Sequence, residues 1–504
     1  MQVVQMVSRI SVVILVVRSV VATAASVGVT SRFAVRCAIG FLLCFASHGL
    51  LMGTLAAADL RVGIFEVDAS PKIGGPLAYD PTKEITSPLS CRGIVLLSDQ
   101  SPVVLCTVDW LGIANGANEK FRASLAEAVG TTADRVAVHT LHQHDAPRCD
   151  LTAAEILAPF GQTAAHFDVP LIEQVIASAS RAAANAAKEA KPVSAIGVGK
   201  SEVKDVASNR RILGADGKVV ATRYTACKDP KMRALPTGVV DPMLRLLTLY
   251  GPEKPIAVLT FYATHPQSYY RTGGANPDFP GMARNARQTE TGVFHLHFNG
   301  AGGNIGAGKF NDGSTENRQV LADKVAAGMR EAFANQQKQK LDNSPLDWQS
   351  VPVSMPVASH LNHKELEDAV ASDATPFALR VHSAEKLAFL RRSEAGMQIP
   401  IGRLKLGENQ MLFMPGELFV EYQLASQHML PEANVFMAAY GEYGTFYIGT
   451  RVAYPQGGYE TSVGATNVSP DSEAVLIKAM RELLGVPNSR VLASDFTETV
   501  GPGL

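Results

Sequence analysis

Val136-Ala137-Val138-His139-Thr140-Leu141-His142-Gln143-His144-Asp145-Ala146-Pro147 carries an apolar run straight into two histidines and a proline. Val136 to Leu141 reads as a strand. Alternate residues of a strand share a face, so His142 and His144 can enter one pocket at its C-terminal edge, one imidazole holding a metal while the other moves protons. Two neighbouring histidines are equally compatible with plain surface or core positions.

Working outward, short β-rich runs alternate with amphipathic or alanine-rich helical ones, which predicts an α/β core rather than a sandwich or a bundle. Arg61 to Val67, Gly93 to Leu97 and Val103 to Leu111 read as strands on one side of the opening segment, with a helix over Asn118 to Ala128. On the other side come a long helix, Ile172 to Ala190, and a strand-like stretch, Val193 to Val206. Apolar strands follow at Met243 to Leu249 and Ile256 to Tyr262, then helices at Asn317 to Ala334 and Asp471 to Leu484. The polar stretch Gln336 to Ser344 reads as an exposed loop. No repeat of 20–50 residues is visible, which argues against a solenoid or propeller.

The chain has 504 residues, 46% hydrophobic and 18% charged, enough apolar content for a large core and too little charge for a disordered chain. Every charge before Asp59 is an arginine. Arg32 and Arg36 precede an apolar run, Ala38 to Leu55, that ends in Ala56-Ala57-Ala58, the pattern of an export signal. An earlier apolar stretch, Ile10 to Val29, is broken by Arg18, and either run is also long enough to be read as a membrane anchor. Residues 1–58 are thus expected to be a leader, and 59–504 an exported domain, periplasmic or extracellular. The leader takes four of the 46 basic residues and none of the 47 acidic ones, leaving 42 against 47. With no basic stripe to meet phosphates, nucleic acid is excluded as a partner. Cys91, Cys106, Cys149 and Cys227 show no C-x-x-C spacing, so a cysteine-type structural zinc site is not expected, and they read as buried or free thiols.

Three more clusters carry chemistry-bearing residues. Phe261-Tyr262-Ala263-Thr264-His265-Pro266 is a second apolar strand stopped at a histidine, where proline ends backbone pairing. In Leu412-Phe413-Met414-Pro415-Gly416-Glu417 a strand stops at Pro-Gly and Glu417 stands where a helix is expected to begin, a place where a carboxylate can merely complement the helix dipole. Tyr443 to Tyr459 holds four tyrosines among glycines, with Tyr447 and Tyr459 set 12 residues apart.

Taken together and in order, these pieces resemble the neutral (alkaline, non-lysosomal) ceramidase family from about Leu60 to about Glu473. Gly63-Ile64-Phe65-Glu66-Val67-Asp68-Ala69-Ser70-Pro71 is similar to the family's opening. His142-Gln143-His144-Asp145-Ala146-Pro147 is similar to its His-Thr-His-Ser-x-Pro, and Phe261 to Ser268 to its Phe-Ala-x-His-Pro-Thr-Ser. Asp278-Phe279-Pro280-Gly281 echoes its Asp-Asn-Lys-Gly, Pro415-Gly416-Glu417 its Pro-Gly-Glu, and the tyrosine spacing recurs. The resemblance implies a single large mixed-sheet α/β catalytic domain whose catalytic zinc is held by His142, His265, Glu417 and Tyr447, with water in the remaining position. It implies His144 as general base or acid, Tyr459 as oxyanion donor, Arg210 in substrate contact, and ceramide-like N-acyl lipids, met at a membrane surface, as substrates. The chemistry agrees, since imidazoles and a carboxylate are good zinc ligands and zinc lowers the pKa of bound water from about 15.7 towards 7.

Departures from the family pattern are as informative. The family's proposed nucleophilic serine is matched by Gly306 in Asn299-Gly300-Ala301-Gly302-Gly303-Asn304-Ile305-Gly306, which leaves activated water as the evident nucleophile and Gly306 as a lining position for substrate. Asp145 replaces the usual serine after the second histidine, and Cys149 falls where glycine is common. The family's C-terminal β-sandwich is not expected, because the chain stops soon after Leu484. The glycine loop also admits an anion-binding nest, but Lys309 is followed by Phe310, so it is no P-loop, and a tight turn lining the metal pocket is the expected role. Two other functions remain open on sequence: an exported, non-catalytic metal-containing binding protein, and a hydrolase of a non-lipid ester or amide.

Overall fold

Three sheets of four or five strands, each with one parallel pair, form the core of the described residues. The computed structural model describes residues 60–161, 163–341 and 346–501, so the expected leader lies outside the described residues. The first sheet has the order β4-β3-β2-β1-β5, with β1 Arg61–Asp68, β2 Ser90–Leu97, β3 Val103–Val108, β4 Val136–Thr140 and the short β5 Lys191–Pro192. The second has the order β9-β8-β7-β6-β10, with β6 Ala195–Glu202, β7 Met243–Tyr250, β8 Pro255–Tyr262, β9 Phe294–Asn299 and β10 Gln337–Lys340. The third runs β11-β12-β13-β14 in order, with β11 Asp347–Val353, β12 Ile399–Leu406, β13 Asn409–Phe413 and β14 Asn434–Ala438.

Within each sheet only the β3/β4, β8/β9 and β13/β14 pairs are parallel; the other pairs are antiparallel. A parallel pair needs a crossover, and each crossover holds a helix: α1 Asn115–Val129, α3 Asp278–Thr291 and α6 Val420–Met429. With α2 Val169–Lys188, α4 Glu316–Ala334, α5 Phe377–Glu394 and α7 Ser472–Leu483, they cover the outer faces. Phe121, Leu125, Ile172 and Val175 pack on the first sheet, Phe279, Leu321 and Met329 on the second, and Tyr422, Leu476 and Met480 on the third. The inner faces meet in one core, where Val62, Leu105, Leu259, Phe261, Phe298, Met411, Phe413 and Phe436 come together.

The expected strands and helices recur with shifts of a few residues, each with a local cause. Helix α2 starts at Val169 because Asp168 accepts from the Leu171 N–H at 3.0 Å and Pro170 fits the first turn. The strand expected to run to Leu111 stops at Val108, where Asp109 turns to take both guanidinium nitrogens of Arg284 at 2.7 and 2.9 Å. The stretch Gln336 to Ser344, expected as a loop, contains edge strand β10, whose backbone pairs with β6 while its four side chains stay exposed. Helix α6 begins at Val420, and Glu417 lies instead in a two-residue strand, Glu417–Leu418, parallel to Tyr447–Ile448. Of the six cysteines in the sequence, the four among the described residues are free thiols, three of them buried. Among the described residues no helix is long and apolar enough to cross a membrane.

The ends of the three parallel pairs are tied together. The Thr140 N–H donates to the Tyr440 carbonyl at 3.1 Å, the Ala439 N–H to the Asn299 carbonyl at 2.9 Å, and the Asn299 side-chain amide to the Leu141 carbonyl. Arg284 on α3 and Asp109 after β3 pin the first sheet to the second from behind, and both side chains are fully buried. Burial alone would raise the Asp109 pKa, but the guanidinium outweighs it and holds the carboxyl below its usual range. Arg284→Met, which strands that carboxylate, is expected to cost about 3–5 kcal/mol in urea unfolding. Pairing it with Asp109→Leu should recover much of the loss, and a single variant costing under about 1 kcal/mol would contradict the pinning role.

Candidate metal centre

Each chemistry-bearing loop leaves the C-terminal end of one of the tied strands, where ligands bind in open α/β sheets. Strand β4 ends at Thr140, and His142 takes a left-handed conformation, φ 62°, as its N–H donates to the Trp110 carbonyl at 3.0 Å. Strand alternation therefore does not govern the histidine pair. The rings of His142 and His144 stand nearly perpendicular, at 84°, yet both enter one pocket. His265 follows β8 and Glu417 follows β13, and all four side chains are buried.

Three imidazole nitrogens meet. The Nε2 of His265 lies 3.2 Å from the Nε2 of His142 and 3.1 Å from that of His144, and Glu417 Oε2 is 3.2 Å from His142 Nε2. His142 Nδ1 donates to the Leu111 carbonyl at 2.7 Å, which fixes the ring with its Nε2 toward His265 and Glu417. A single proton on that nitrogen serves one of its two neighbours; a divalent cation serves both. Glu417 Oε2 has no hydrogen-bond donor although it is buried. Two imidazoles on one tetrahedral zinc stand about 3.3 Å apart, given bonds of roughly 2.0–2.1 Å, so this donor set fits zinc in spacing and in chemistry.

Protonation states follow from burial and neighbours. Burial, reinforced by nearby arginines, pushes His144 and His265 well below the usual histidine range, so both are neutral near pH 7. Burial would raise Glu417, but His142, a hydrogen bond from Tyr447 and the charge of Arg210 hold it below the usual carboxylate range. Tyr443 donates to Glu417 Oε1 at 3.0 Å. The Tyr447 ring lies parallel to that of His265 with centroids 6.3 Å apart, and the Tyr440 ring stacks on His142 at 4.6 Å.

Toward the outside, Arg210 donates from Nε to Glu460 at 2.7 Å and lies 5.1 Å from the centre of the Tyr447 ring and 5.9 Å from that of Tyr459. Its Nη2 is buried without a partner. Tyr459 stands 43% exposed at the mouth, its ring 5.7 Å from Tyr447. The glycine loop threads between the histidine and glutamate loops. A Cβ on Gly302 would strike the Thr264 carbonyl at 2.5 Å, and one on Gly303 the Glu417 carbonyl at 2.2 Å. Its amides are taken, Gly300 by Tyr262, Ala301 by Gln423 and Gly303 by Leu418, so they form no anion nest. Gly306 differs, for a Cβ there would meet nothing nearer than Thr225 at 3.8 Å.

No protein-family profile matches the sequence, and no curated protein matches it. Solved structures do. Neutral ceramidase from Pseudomonas aeruginosa superposes with a TM-score of 0.61 at 16% identity, over 89% of this chain and 76% of that one. A ceramidase complexed with C2 gives 0.62 at 14%, over 88% and 77%.

The fold is that of neutral ceramidase.

Within this ceramidase fold, His142, His265, Glu417 and Tyr447 lie side by side, with Arg210 over the Tyr447 ring and Tyr459 beside it. His144, read as a proton carrier, presents its Nε2 among the same donor atoms as His142 and His265. Gly306 pairs with Ser208 two residues before Arg210. Sequence reasoning passed over Tyr79, Gln267, Tyr440 and Tyr443. Tyr443 carried a signal, four residues before Tyr447 in the same glycine-tyrosine loop, and Gln267 sits inside the quoted histidine motif; Tyr79 and Tyr440 had none.

Glu442, next to Tyr443, accepts from the N–H groups of Asn115 at 2.7 Å and Gly444 at 2.9 Å, and burial pushes its pKa up to about 7. Between the ordinary value near 4.5 and that raised value, the unfolded chain ionises Glu442 while the folded chain keeps its proton. The Glu442 contribution to stability therefore falls as pH rises through this window, by about 1.4 kcal/mol per unit, and levels off above it. Glu442→Gln should accordingly gain roughly 3 kcal/mol on the parent between pH 4.5 and 8 in denaturant titrations, and a difference independent of pH would refute the assignment.

Proposed function

We propose that the chain is a zinc-dependent hydrolase that cleaves the amide bond of a ceramide-like N-acyl lipid or a related N-acyl compound with water. One observation carries this reading: the buried His142 Nε2 lies 3.2 Å from both the Nε2 of His265 and the Oε2 of Glu417, and that oxygen has no hydrogen-bond donor. The ceramidase fold supports the bond type. We further infer that residues 1–58 direct the domain out of the cytoplasm.

His142, His265, Glu417 and Tyr447 would hold the ion, whose Lewis acidity, when bound, makes water a nucleophile at neutral pH. Arg210 contacts the substrate through its free Nη2 and, with the Tyr447 and Tyr459 rings, orients the carbonyl. As water oxygen bonds to the carbonyl carbon, His144 takes the proton and passes it to the leaving nitrogen, and the Tyr459 hydroxyl donates to the developing oxyanion. The C–N bond breaks to a carboxylic acid and an amine. Gly306 offers no nucleophile, and the nearest hydroxyl to its open side, on Thr225, is committed to the Gln267 carbonyl. Water is then the attacking group.

Metal analysis of the purified protein together with N-acylsphingosine turnover tests the reading. About one zinc per chain is expected, with activity lost to a chelator and restored by zinc. His265→Ala should fold, lose zinc and lose turnover, whereas His144→Ala should keep zinc and lose roughly 10²–10⁴-fold in kcat. Tightly held metal with no turnover on any N-acyl lipid, amide or ester would overturn the hydrolase and leave a metal-containing binding protein.

A further inference from the structure

None of the three hydrogen bonds that tie the strand ends touches His144 or the loop that carries His265. Arg318, in the first turn of α4, reaches both histidine loops. Its Nε donates to the Ser268 hydroxyl at 2.7 Å, three residues past His265. Its Nη2 donates to Oδ2 of Asp145, the residue after His144, at 2.9 Å, and to the Tyr269 carbonyl at 2.8 Å. The guanidinium centre lies 3.5 Å from the centre of the Tyr269 ring. Both side chains of the Arg318–Asp145 pair are buried, so little water screens it.

Asp145 has few other partners. Its Oδ1 is buried without a donor, and its Oδ2 accepts only from Arg318 and from the Thr272 hydroxyl at 3.1 Å. The Asp278 carboxylate, 3.5 Å from the same guanidinium nitrogen, accepts from the Ser268 N–H at 3.1 Å and so holds the second loop to the same point. The loops also meet at the His144 ring, whose Nδ1 lies 3.0 Å from the Gln267 side-chain nitrogen and 3.0 Å from the Tyr79 hydroxyl. A guanidinium presents its donors in a rigid plane, so bonds to two loops fix their separation as well as attract them. Asp145 is also where the histidine motif departs from the family pattern, and a serine there would bring no charge to meet Arg318.

We propose that Arg318 is a positioning residue that clamps the His142–His144 loop to the His265 loop through Asp145 and Ser268, and so sets the spacing of the imidazoles offered to the metal. Arg318 acts only through the two loops. Its effect on zinc rests on the metal reading above; the clamp does not.

Three measurements on the full-length protein separate a clamp from a general brace: zinc affinity by chelator competition, stability by urea unfolding, and amide hydrogen exchange without metal. Arg318→Met should weaken zinc about tenfold, as expected for a residue that orients ligands from behind. Combining it with Asp145→Leu replaces the buried pair by apolar groups; stability should recover and zinc affinity should not, because nothing directional then spans the loops. Arg284→Met, which breaks the ion pair behind the sheets, should lower stability and leave zinc affinity as in the parent. In the metal-free protein, Arg318→Met should speed exchange in both histidine loops and not in β4 or β8. If Arg318→Met does not fold, the double variant and Ser268→Ala, which removes one bond and no charge, answer both measurements. Unchanged zinc affinity in a folded Arg318→Met, recovery of zinc affinity together with stability in the double variant, or unaltered exchange in both loops would each overturn the proposal. A native chain that takes up no zinc sinks the metal reading instead, and the exchange comparison still decides the clamp.

Discussion

The hydrogen bonds that tie the ends of β4, β9 and β14 are what the site depends on. Thr140 to Tyr440 and Ala439 to Asn299 link main chain to main chain, and the Asn299 side-chain amide reaches the Leu141 carbonyl, so all three sheets are joined and the residues one or two positions further on have little freedom. Each sheet contributes one parallel pair, a parallel pair requires a crossover, and the crossover helices must sit on the outer faces to cover apolar side chains. The carboxyl ends of the strands are then left facing one another. The electron-rich atoms within about 3 Å of each other at the centre are therefore a product of topology, and only secondarily of the loops that carry them.

The same burial that makes such a cluster costly also puts its members in the right charge state. Desolvation keeps His144 and His265 neutral, as imidazoles must be to act as ligand or base. It would also neutralise Glu417, and does not because His142, Tyr447 and Arg210 favour the anion. Arg210 in turn stays charged although it is buried, because Tyr447, Glu460 and Glu417 together outweigh its desolvation. The tyrosines that sequence patterns ignore thus set the electrostatics: Tyr443 fixes one carboxylate oxygen of Glu417 and leaves the other turned toward His142.

Much of this could be read from the chain because strand ends announce themselves. Runs such as Phe261 to His265, stopped by Pro266, and Leu412 to Met414, stopped by Pro415-Gly416, name both an element and the residue at its tip. The α/β class followed from the same alternation. What stayed hidden was whatever tertiary closure decides. The β10 segment Gln337–Lys340 has no apolar face to betray it, since its pairing with β6 is through the backbone. Tyr79 lies outside every motif and Tyr440 just ahead of the tyrosine-glycine cluster, and both gain their places only when the sheets meet. The threefold use of one strand-helix-strand unit leaves no sequence repeat, because the units share a path of the backbone and not a pattern of side chains.

Strain shows how firmly that closure is enforced. His142 and Tyr440 both adopt φ of 62°, which costs a residue with a Cβ roughly 1–2 kcal/mol. Glycine would relieve the cost but would remove the imidazole, or the ring stacked on it. The surrounding main chain compensates, with the N–H of His142 donating to Trp110 and that of Tyr440 to Gly416, each at 3.0 Å. A stacked His142–Tyr440 pair, both in a disfavoured conformation and both tied by their own amides, is a geometry that cannot relax by rotating one side chain. The imidazole is held at its angle by folding itself, so a metal site built on it would meet its ordering cost during folding rather than at binding.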